Sequence, residues 1–481
     1  MPNLSDLPLD LLPIIVSHIS SWNPKYLVNL CLVNKTFYEL SIAHLYQRIS
    51  IYSWHKHGKA KVIQLFNCLA SHPHLAQRVR RLEIRDFPKA LIGDDHRNTV
   101  IQGLKNCVNL SSCTWTRDGS LDTGVLEALS NTSLIELEIN GHSQGHYDPK
   151  VLLKFKTLRK ISVIMPGLGV VQTLPQWVAT GTLRNLTIIC KSSTIITDTT
   201  LETLSPNLRN LEYLYIVGCP KVTHRGISAI LLQSTNGIRG LGIEGLSPHF
   251  DTHQFHLTCT QTDALSQLRS ITLTVGGIHQ QASLNQWMRQ VTELLHAGVP
   301  LEIFQLYSTS PTSMATTSKR FWFDIVSAHQ DRLIRFSVHR MLVSLDSIED
   351  ICRRCKRLEQ LFVVVEPGSL EKLAVRLKHG HRLRVVHVNY PLTSTSTSSS
   401  SDEDEETEAV AVPVLSPEEA QKIVDGCPPS IEQFGCNSRV WKVEREVIRD
   451  ENEPGTVVGI KRRIARYDSP DIPEAFLVVR T

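Results

Sequence analysis

The chain has 481 residues, 41% hydrophobic and 20% charged, which is enough apolar material to bury a core over nearly its whole length and excludes wholesale disorder. Its 51 basic and 47 acidic residues leave a formal charge of +4, without the clustered excess of a nucleic-acid footprint, so no nucleic-acid partner is expected. Eleven cysteines, an odd number without dense spacing, fit a reducing compartment rather than a disulfide framework, and the expected location is cytoplasmic and/or nuclear.

The first twenty residues carry no positive charge ahead of their apolar stretch and are interrupted by Pro8, Pro13 and His18, unlike a secretory signal. No stretch reaches the roughly 20 apolar residues of a membrane-spanning helix, so no membrane partner is expected. Leu11, Leu12, Ile15 and Ile19 share one face if a helix begins at Asp10, and Pro13 then falls in its first turn, where the missing N–H removes no intrahelical bond. A second amphipathic run follows in Tyr26, Leu27, Leu30, Val33, Phe37 and Leu40, and a third in Ala43, Leu45, Tyr46 and Ile49. Three helices this short make a thin core, so apolar side chains must remain outside it and need a partner.

Within these residues, Leu7 to Leu12 and then Leu30 to Phe37 resemble the opening and closing signatures of the F-box motif. That resemblance implies a helical module that binds the Skp adaptor of cullin-RING ubiquitin ligases, and through it the cullin. By position, Leu7, Pro8, Leu11, Leu12 and Ile15 would supply one half of the adaptor surface, and Leu30, Val33, Lys35 and Phe37 the other. Phe37 stands where many members have tryptophan, and Pro13 where a helix-compatible residue is commoner. The plainer alternative is that residues 1–50 only cap a solenoid, although the helix-like stretch Lys59 to Ala70 is the better cap.

From Val79 onward an L-x-x-L-x-L frame recurs thirteen times, starting at Val79, Leu110, Leu134, Leu158, Leu183, Leu211, Ile238, Leu268, Leu301, Leu333, Leu358, Leu383 and Ile431. Most intervals match a leucine-rich repeat of roughly 20 to 29 residues, and the longer ones require loop insertions. In the unit at Leu134, Leu137 and Ile139 point inward with it from a short strand while Glu136, Glu138 and Asn140 alternate outward. One unit cannot bury its apolar face alone, so units must stack. Apolar residues three or four apart in Gly124 to Leu129, Leu201 to Leu204, Gly226 to Leu232 and Ser347 to Cys352 mark helices on the opposite, convex side. Ile196 to Leu201 and Gly218 to Ile227 resemble the cysteine-containing subtype of these repeats, common in F-box proteins.

An insertion at 393–412, whose core reads TSTSTSSSSDEDEETE, has no apolar periodicity and is expected to be a solvated, disordered loop. Ser400 and Ser401, each with an acidic residue three positions on, are phosphorylation candidates; a passive spacer is the bland alternative. Alternating segments Val440 to Val447 and Thr456 to Ile464 around a turn-like run predict a hairpin that caps the open end. The tail from Pro473 to Arg480 resembles the C-termini of F-box proteins from mushroom-forming fungi.

Gly240, Gly242 and Gly245 match G-x-G-x-x-G, but the first two fall inside a repeat strand and no helix start follows, so a dinucleotide site is not expected. Cys352 and Cys355 with His379 and His381 lack zinc-site spacing, and Cys355 holds the same frame slot as Cys107. No metal, cofactor or catalytic residue is therefore assigned. Among outward strand positions the early units offer mixed charge in Arg81, Glu83, Arg85, Glu136, Glu138 and Lys160. The later ones offer Tyr213, Tyr215, Tyr307, Arg335, His339 and Phe362, the expected target-binding set because interfaces concentrate energy in aromatics and arginine.

The expectation is thus an α/β fold, a leucine-rich-repeat solenoid (horseshoe) preceded by a small three-helix F-box module. Residues 1–50 form the F-box, 51–438 the solenoid with its N-terminal cap, and 439–481 the capping hairpin and tail. The implied function is that of a substrate-recognition subunit of a Skp/cullin/F-box ubiquitin ligase, not itself an enzyme, that presents an unknown protein substrate. The alternative is a repeat interaction scaffold with no role in ubiquitin ligation.

Overall fold

The computed structural model describes residues 8–22, 25–52, 55, 57–87, 94–276, 281–296, 298–308, 319–391, 415–449 and 457–467. Leu7, the acidic insertion with Ser400 and Ser401, and the tail from Pro473 lie outside the described residues. The chain divides into two units, Met1–Lys221 with Gln233–Asn236, and Val222–Leu232 with Gly237–Thr481.

The first unit opens with a 3-10 turn, Leu9–Leu11, leading into α1 (Leu12–Trp22). Pro13 sits in the first turn of α1, where it breaks no hydrogen bond. The second expected run is split: α2 (Lys25–Cys31) ends before a turn, and α3 (Lys35–Gln47) starts anew. Asn34 imposes the break, because its side-chain oxygen accepts the Phe37 N–H at 2.9 Å and caps α3. Leu12, Val16, Leu27 and Phe37 form the module's core, with Ile19, Leu30, Leu40 and Leu45 packed against it.

Ile49 lies not in a third helix but in β1 (Arg48–Ile51), a strand the frame did not predict. The helix α4 (Gly58–Ser71) follows it and buries Val62, Phe66 and Leu69. Because β1 precedes α4, the helix expected as a cap is instead the convex element of a first strand–helix unit. Parallel pairing then runs in sequence order through β2 (Arg81–Ile84), β3 (Ser112–Trp115), β4 (Glu136–Asn140), β5 (Lys160–Ile164), β6 (Asn185–Ile189) and β7 (Tyr213–Val217). The helices Thr123–Ser130 and Asp198–Leu204 stand where periodicity placed them.

The register explains the core. Leu82, Cys113, Leu137, Ile161, Leu186 and Leu214 are direct cross-strand partners, one from each unit at the fourth position of the frame. In-register stacking turns every apolar face into a continuous column, and each fully buried Leu or Ile contributes about 1.5 to 3 kcal/mol.

The second unit repeats the arrangement. The parallel strands β8 (Gly240–Glu244), β9 (Ser270–Val275), β10 (Ile303–Ser308), β11 (Arg335–Leu342), β12 (Gln360–Val364), β13 (Val385–Asn389) and β14 (Gln433–Cys436) pair in sequence order. Across both units the side chains at frame positions one, four and six are no more than 3% exposed, except Ile243, which is half-buried near the end of β8. The helices His224–Leu231 and Leu345–Arg354 match the predicted convex stretches. A helix over Pro417–Gly426 was not anticipated; its capping box of Ser416 and Glu419 starts it just after the insertion.

β15 (Arg439–Arg449) turns back antiparallel onto β14, and β16 (Val457–Arg466) pairs antiparallel with β15, which is the predicted hairpin. Trp441 stacks on Phe434 at 6.1 Å, and the Arg462 guanidinium donates to the carbonyls of Asp425, Cys427 and Pro428. The hairpin therefore covers both the last parallel edge and the end of the last convex helix. All eleven cysteines are free, and only Cys31 and Cys68 are not buried. Among the described residues no helix is long and apolar enough to cross a membrane.

Candidate interaction surfaces

The N-terminal helices leave many apolar side chains outside their small core. Leu9 is 71% exposed, Leu32 82% and Val33 60%, and Leu11, Ile14, Tyr26, Val28 and Tyr38 are also exposed. Of the expected adaptor residues, Pro8, Leu11, Val33 and Lys35 are exposed and Ile15 and Leu30 half-buried. Leu12 and Phe37 are each only 5% exposed, so these two hold the module together and do not belong to its surface. Both belong to the small core they share with Val16 and Leu27.

The outward strand positions of the first unit carry an ion-paired network. Glu83 is buried, and its carboxylate accepts hydrogen bonds from Arg48 at 3.0 Å, Arg81 at 2.6 Å and the Tyr52 hydroxyl at 2.9 Å. Burial alone would raise its pKa, but the two guanidiniums and the hydroxyl outweigh it and hold the carboxyl below its usual range. Arg85, also buried, pairs with Glu138 at 2.9 Å. The mixed charge read from the sequence is thus largely spent on internal pairing. Tyr213 and Tyr215 stand on β7 of this unit, both half-buried.

In the second unit the outward positions build a row of rings across four strands. Tyr307 on β10 stacks on His339 of β11 with centroids 4.6 Å apart. His339 lies 6.4 Å from Phe362 on β12, which stacks on His387 of β13 at 6.1 Å. Tyr307 and His339 are register partners, as are Phe362 and His387; the step from His339 to Phe362 is diagonal, because Ser337 is the residue opposite Phe362. The β11–β12 register shifts between Ser337 and Leu342, and Arg340 takes a left-handed φ of 59°. The irregularity lies on the β12 side of β11, where the row steps from His339 to Phe362.

The row is held rigidly. The Ser337 hydroxyl and His339 Nε2 lie 2.8 Å apart, and His387 Nε2 is 2.9 Å from the Asn437 carbonyl oxygen. Glycine at 435 is required by the His387 ring, since a Cβ there would meet Nδ1 at 2.1 Å. Burial, with the nearby His387 and Arg340 charges, lowers the His339 pKa to about 3, so this ring is neutral at physiological pH. Arg335, half-buried, hydrogen-bonds Gln360 beside the row. What the row turns outward is the half-buried Tyr307 and His387 rings and the Arg335 guanidinium, backed by the buried His339 and Phe362.

Tyr307, Arg335, His339 and Phe362 are therefore brought together, but His339 and Phe362 are buried and support the row from within, as Leu12 and Phe37 do in the N-terminal module. That leaves Tyr307 and Arg335 as the accessible members of the expected set. His387 and Gly435 were missed by residue-type reasoning, although the frame offsets that identified Phe362 point to both. Cys352 and Cys355 are core residues, while His379 lies on the surface within 3.2 Å of Arg353. Gly240 and Gly242 lie within β8, as the frame requires.

No protein-family model matches the chain, and no curated protein matches it. Solved structures do. The crystal structure of the Rad7 and Elc1 complex in yeast is 15% identical with a TM-score of 0.41, covering 76% of this chain and 94% of that one. The leucine-rich-repeat protein LegL7 from Legionella pneumophila is 12% identical, TM-score 0.35, covering 60% and 87%. The TLR13–ssRNA13 complex is 12% identical, TM-score 0.26, covering 66% and 52%. The leucine-rich-repeat assignment rests on the strands and their register, to which likenesses of this size add nothing.

Proposed function

We propose that the chain is the substrate-recognition subunit of a Skp/cullin/F-box ubiquitin ligase. The N-terminal helices dock on the Skp adaptor, and an outward repeat surface holds a target protein for ubiquitin transfer by other subunits. One observation carries the reading: a three-helix module too small to bury its own apolar residues leaves Leu9, Leu11, Leu32 and Val33 in solvent, at and between the positions that match the F-box signatures. Apolar side chains gathered at that density mark a docking face. Leu7, which lies outside the described residues, completes the signature in sequence. Catalysis belongs to other subunits, and the gain comes from proximity, which makes the encounter between target lysine and charged ubiquitin carrier effectively intramolecular.

Target capture falls to Tyr307, His387 and Arg335 on the accessible side of the ring row, with His339 and Phe362 behind them, and Tyr213 and Tyr215 are the corresponding candidates in the first unit. Ser400 and Ser401 are proposed sites for an acidophilic kinase, which would deepen the negative charge of their segment.

The test is co-purification with the Skp adaptor. Leu11→Asp with Val33→Asp places charge on the exposed face without touching the core, and adaptor binding should be lost while the melting temperature is unchanged. Adaptor binding that is absent in the wild type, or survives in that variant, would leave a repeat scaffold with no role in ubiquitin ligation. Phe37→Ala is unsuitable, because removing a core aromatic costs about 3–5 kcal/mol and would abolish binding by unfolding the module.

A further inference from the structure

The loops that follow β3 and β4 bring Asp118, His142 and His146 together, with one ligand atom from each within 4.8 Å of the others. We propose that this trio binds a divalent transition-metal cation of the zinc class.

The donor set is the first argument. Two imidazoles and a carboxylate suit such an ion, and three protein ligands leave a position open to solvent. His142 Nδ1 and Asp118 Oδ1 are 3.0 Å apart, with both side chains 49% exposed. Metal–ligand bonds of about 2.0–2.1 Å put neighbouring ligands roughly 3 Å apart, so this edge of the coordination polyhedron already exists. The His142 and His146 rings meet edge to face at 5.3 Å, and rotation of exposed side chains closes the remaining distance.

The scaffold is the second argument, because the backbone beneath the trio is fixed. The buried Asn140 donates to the Thr116 carbonyl and accepts from the His142 N–H at 2.9 Å, while the buried Tyr147 hydroxyl donates to the Asn140 carbonyl. His146 and Tyr147 N–H groups both donate to the Ser143 carbonyl, forming the turn that returns His146 to His142. Gly141 is needed because a Cβ would meet Pro166 Cα and a Val163 methyl at 2.6 Å, and Gly145 takes a φ of +75°. On the other loop, Ser120 accepts from the Trp115 indole N–H and donates to the Arg117 carbonyl, which fixes the segment on either side of Asp118. Two imidazoles on a pinned turn, facing a carboxylate on a second pinned loop, need little ordering to take an ion.

The test uses the full chain stripped with a chelator and titrated calorimetrically with Zn²⁺ alone. Co²⁺, whose visible absorption reports a change from hexa-aqua coordination, serves as a second probe. The 20 histidines of the chain make wild-type uptake uninformative alone, so the comparison is with His142→Ala, His146→Ala and Asp118→Asn. These side chains lie outside the core, and melting in chelator should match the wild type. The wild type should bind one more equivalent of Zn²⁺ than either histidine variant, and Asp118→Asn should weaken that equivalent at least tenfold. Zn²⁺ should raise the melting temperature of the wild type more than that of either histidine variant, with Asp118→Asn in between. Equal stoichiometry and equal melting shifts in the wild type and both histidine variants would overturn the site.

Discussion

His339 gives the ring row an acid limit. Its folded pKa, about 3, lies below the ordinary value near 6.5, so the unfolded chain takes up the proton first and stability falls as pH drops from about 6.5 toward 3. Between pH 7.5 and 5.0 this one group should remove about 2 kcal/mol, before the carboxylate of Glu83 begins to titrate. His339→Phe should be less stable at pH 7.5, because the buried Ser337 hydroxyl loses its partner, yet show a flatter decline between those pH values; urea unfolding at both will tell. An equal decline in variant and wild type would refute the assignment to His339. Gly435→Ala should displace the His387 ring and destabilise by about 1–3 kcal/mol, read from the urea midpoint. At this scale the sequence was legible wherever strand alternation decides direction, as at Tyr307 and Phe362. It was not legible where a missing Cβ decides it, as at Gly435, nor in how deeply a ring sinks, as at His339 and Phe362. Leu12 and Phe37 show the same limit, since a signature says that a residue is apolar but not which way it faces.

Whole elements were read most safely where one period persists. The helices Thr123–Ser130 and Leu345–Arg354 and the hairpin of β15 and β16 fall where their apolar spacing or alternation put them. The run from Tyr26 to Leu40 misled, because helical spacing continues across a point where Asn34 redirects the chain. That cap is testable: Asn34→Ala should cost about 1 kcal/mol, seen as faster hydrogen exchange in α3 with protection in the repeat strands unchanged. β1 escaped although Ile49 and Ile51 pair with Leu82 and Ile84 at the frame's fourth and sixth positions, because Tyr46 and Ile49 also continue the helical spacing of Ala43 and Leu45. The helix Pro417–Gly426 escaped because the biased composition of the insertion masked its capping box. Within a repeat strand, Leu137→Ala should cost about 2–5 kcal/mol, a measure of how tightly the stacked columns are packed.

For the molecule as a whole, the thirteen-fold frame was sufficient to specify a stack, since only stacking buries side chains at positions one, four and six together. The first unit turns outward the network around Glu83 and the second the row of rings from Tyr307 to His387. Ends are where a stack is vulnerable. Removing residues 439–467 should leave the β14 edge unpaired and Phe434 uncovered, so the truncated chain should aggregate on a sizing column at concentrations where the intact protein stays monodisperse. The buried thiols carry a consequence of their own. Burial raises Cys107, Cys259, Cys352, Cys355 and Cys427 to about 12, which leaves a thiolate fraction on the order of 10⁻⁴ or less near neutral pH. Iodoacetamide should mark the half-buried Cys31 and Cys68 first and the five interior positions only as their coils open, so the protein carries a built-in clock for the breathing of each segment.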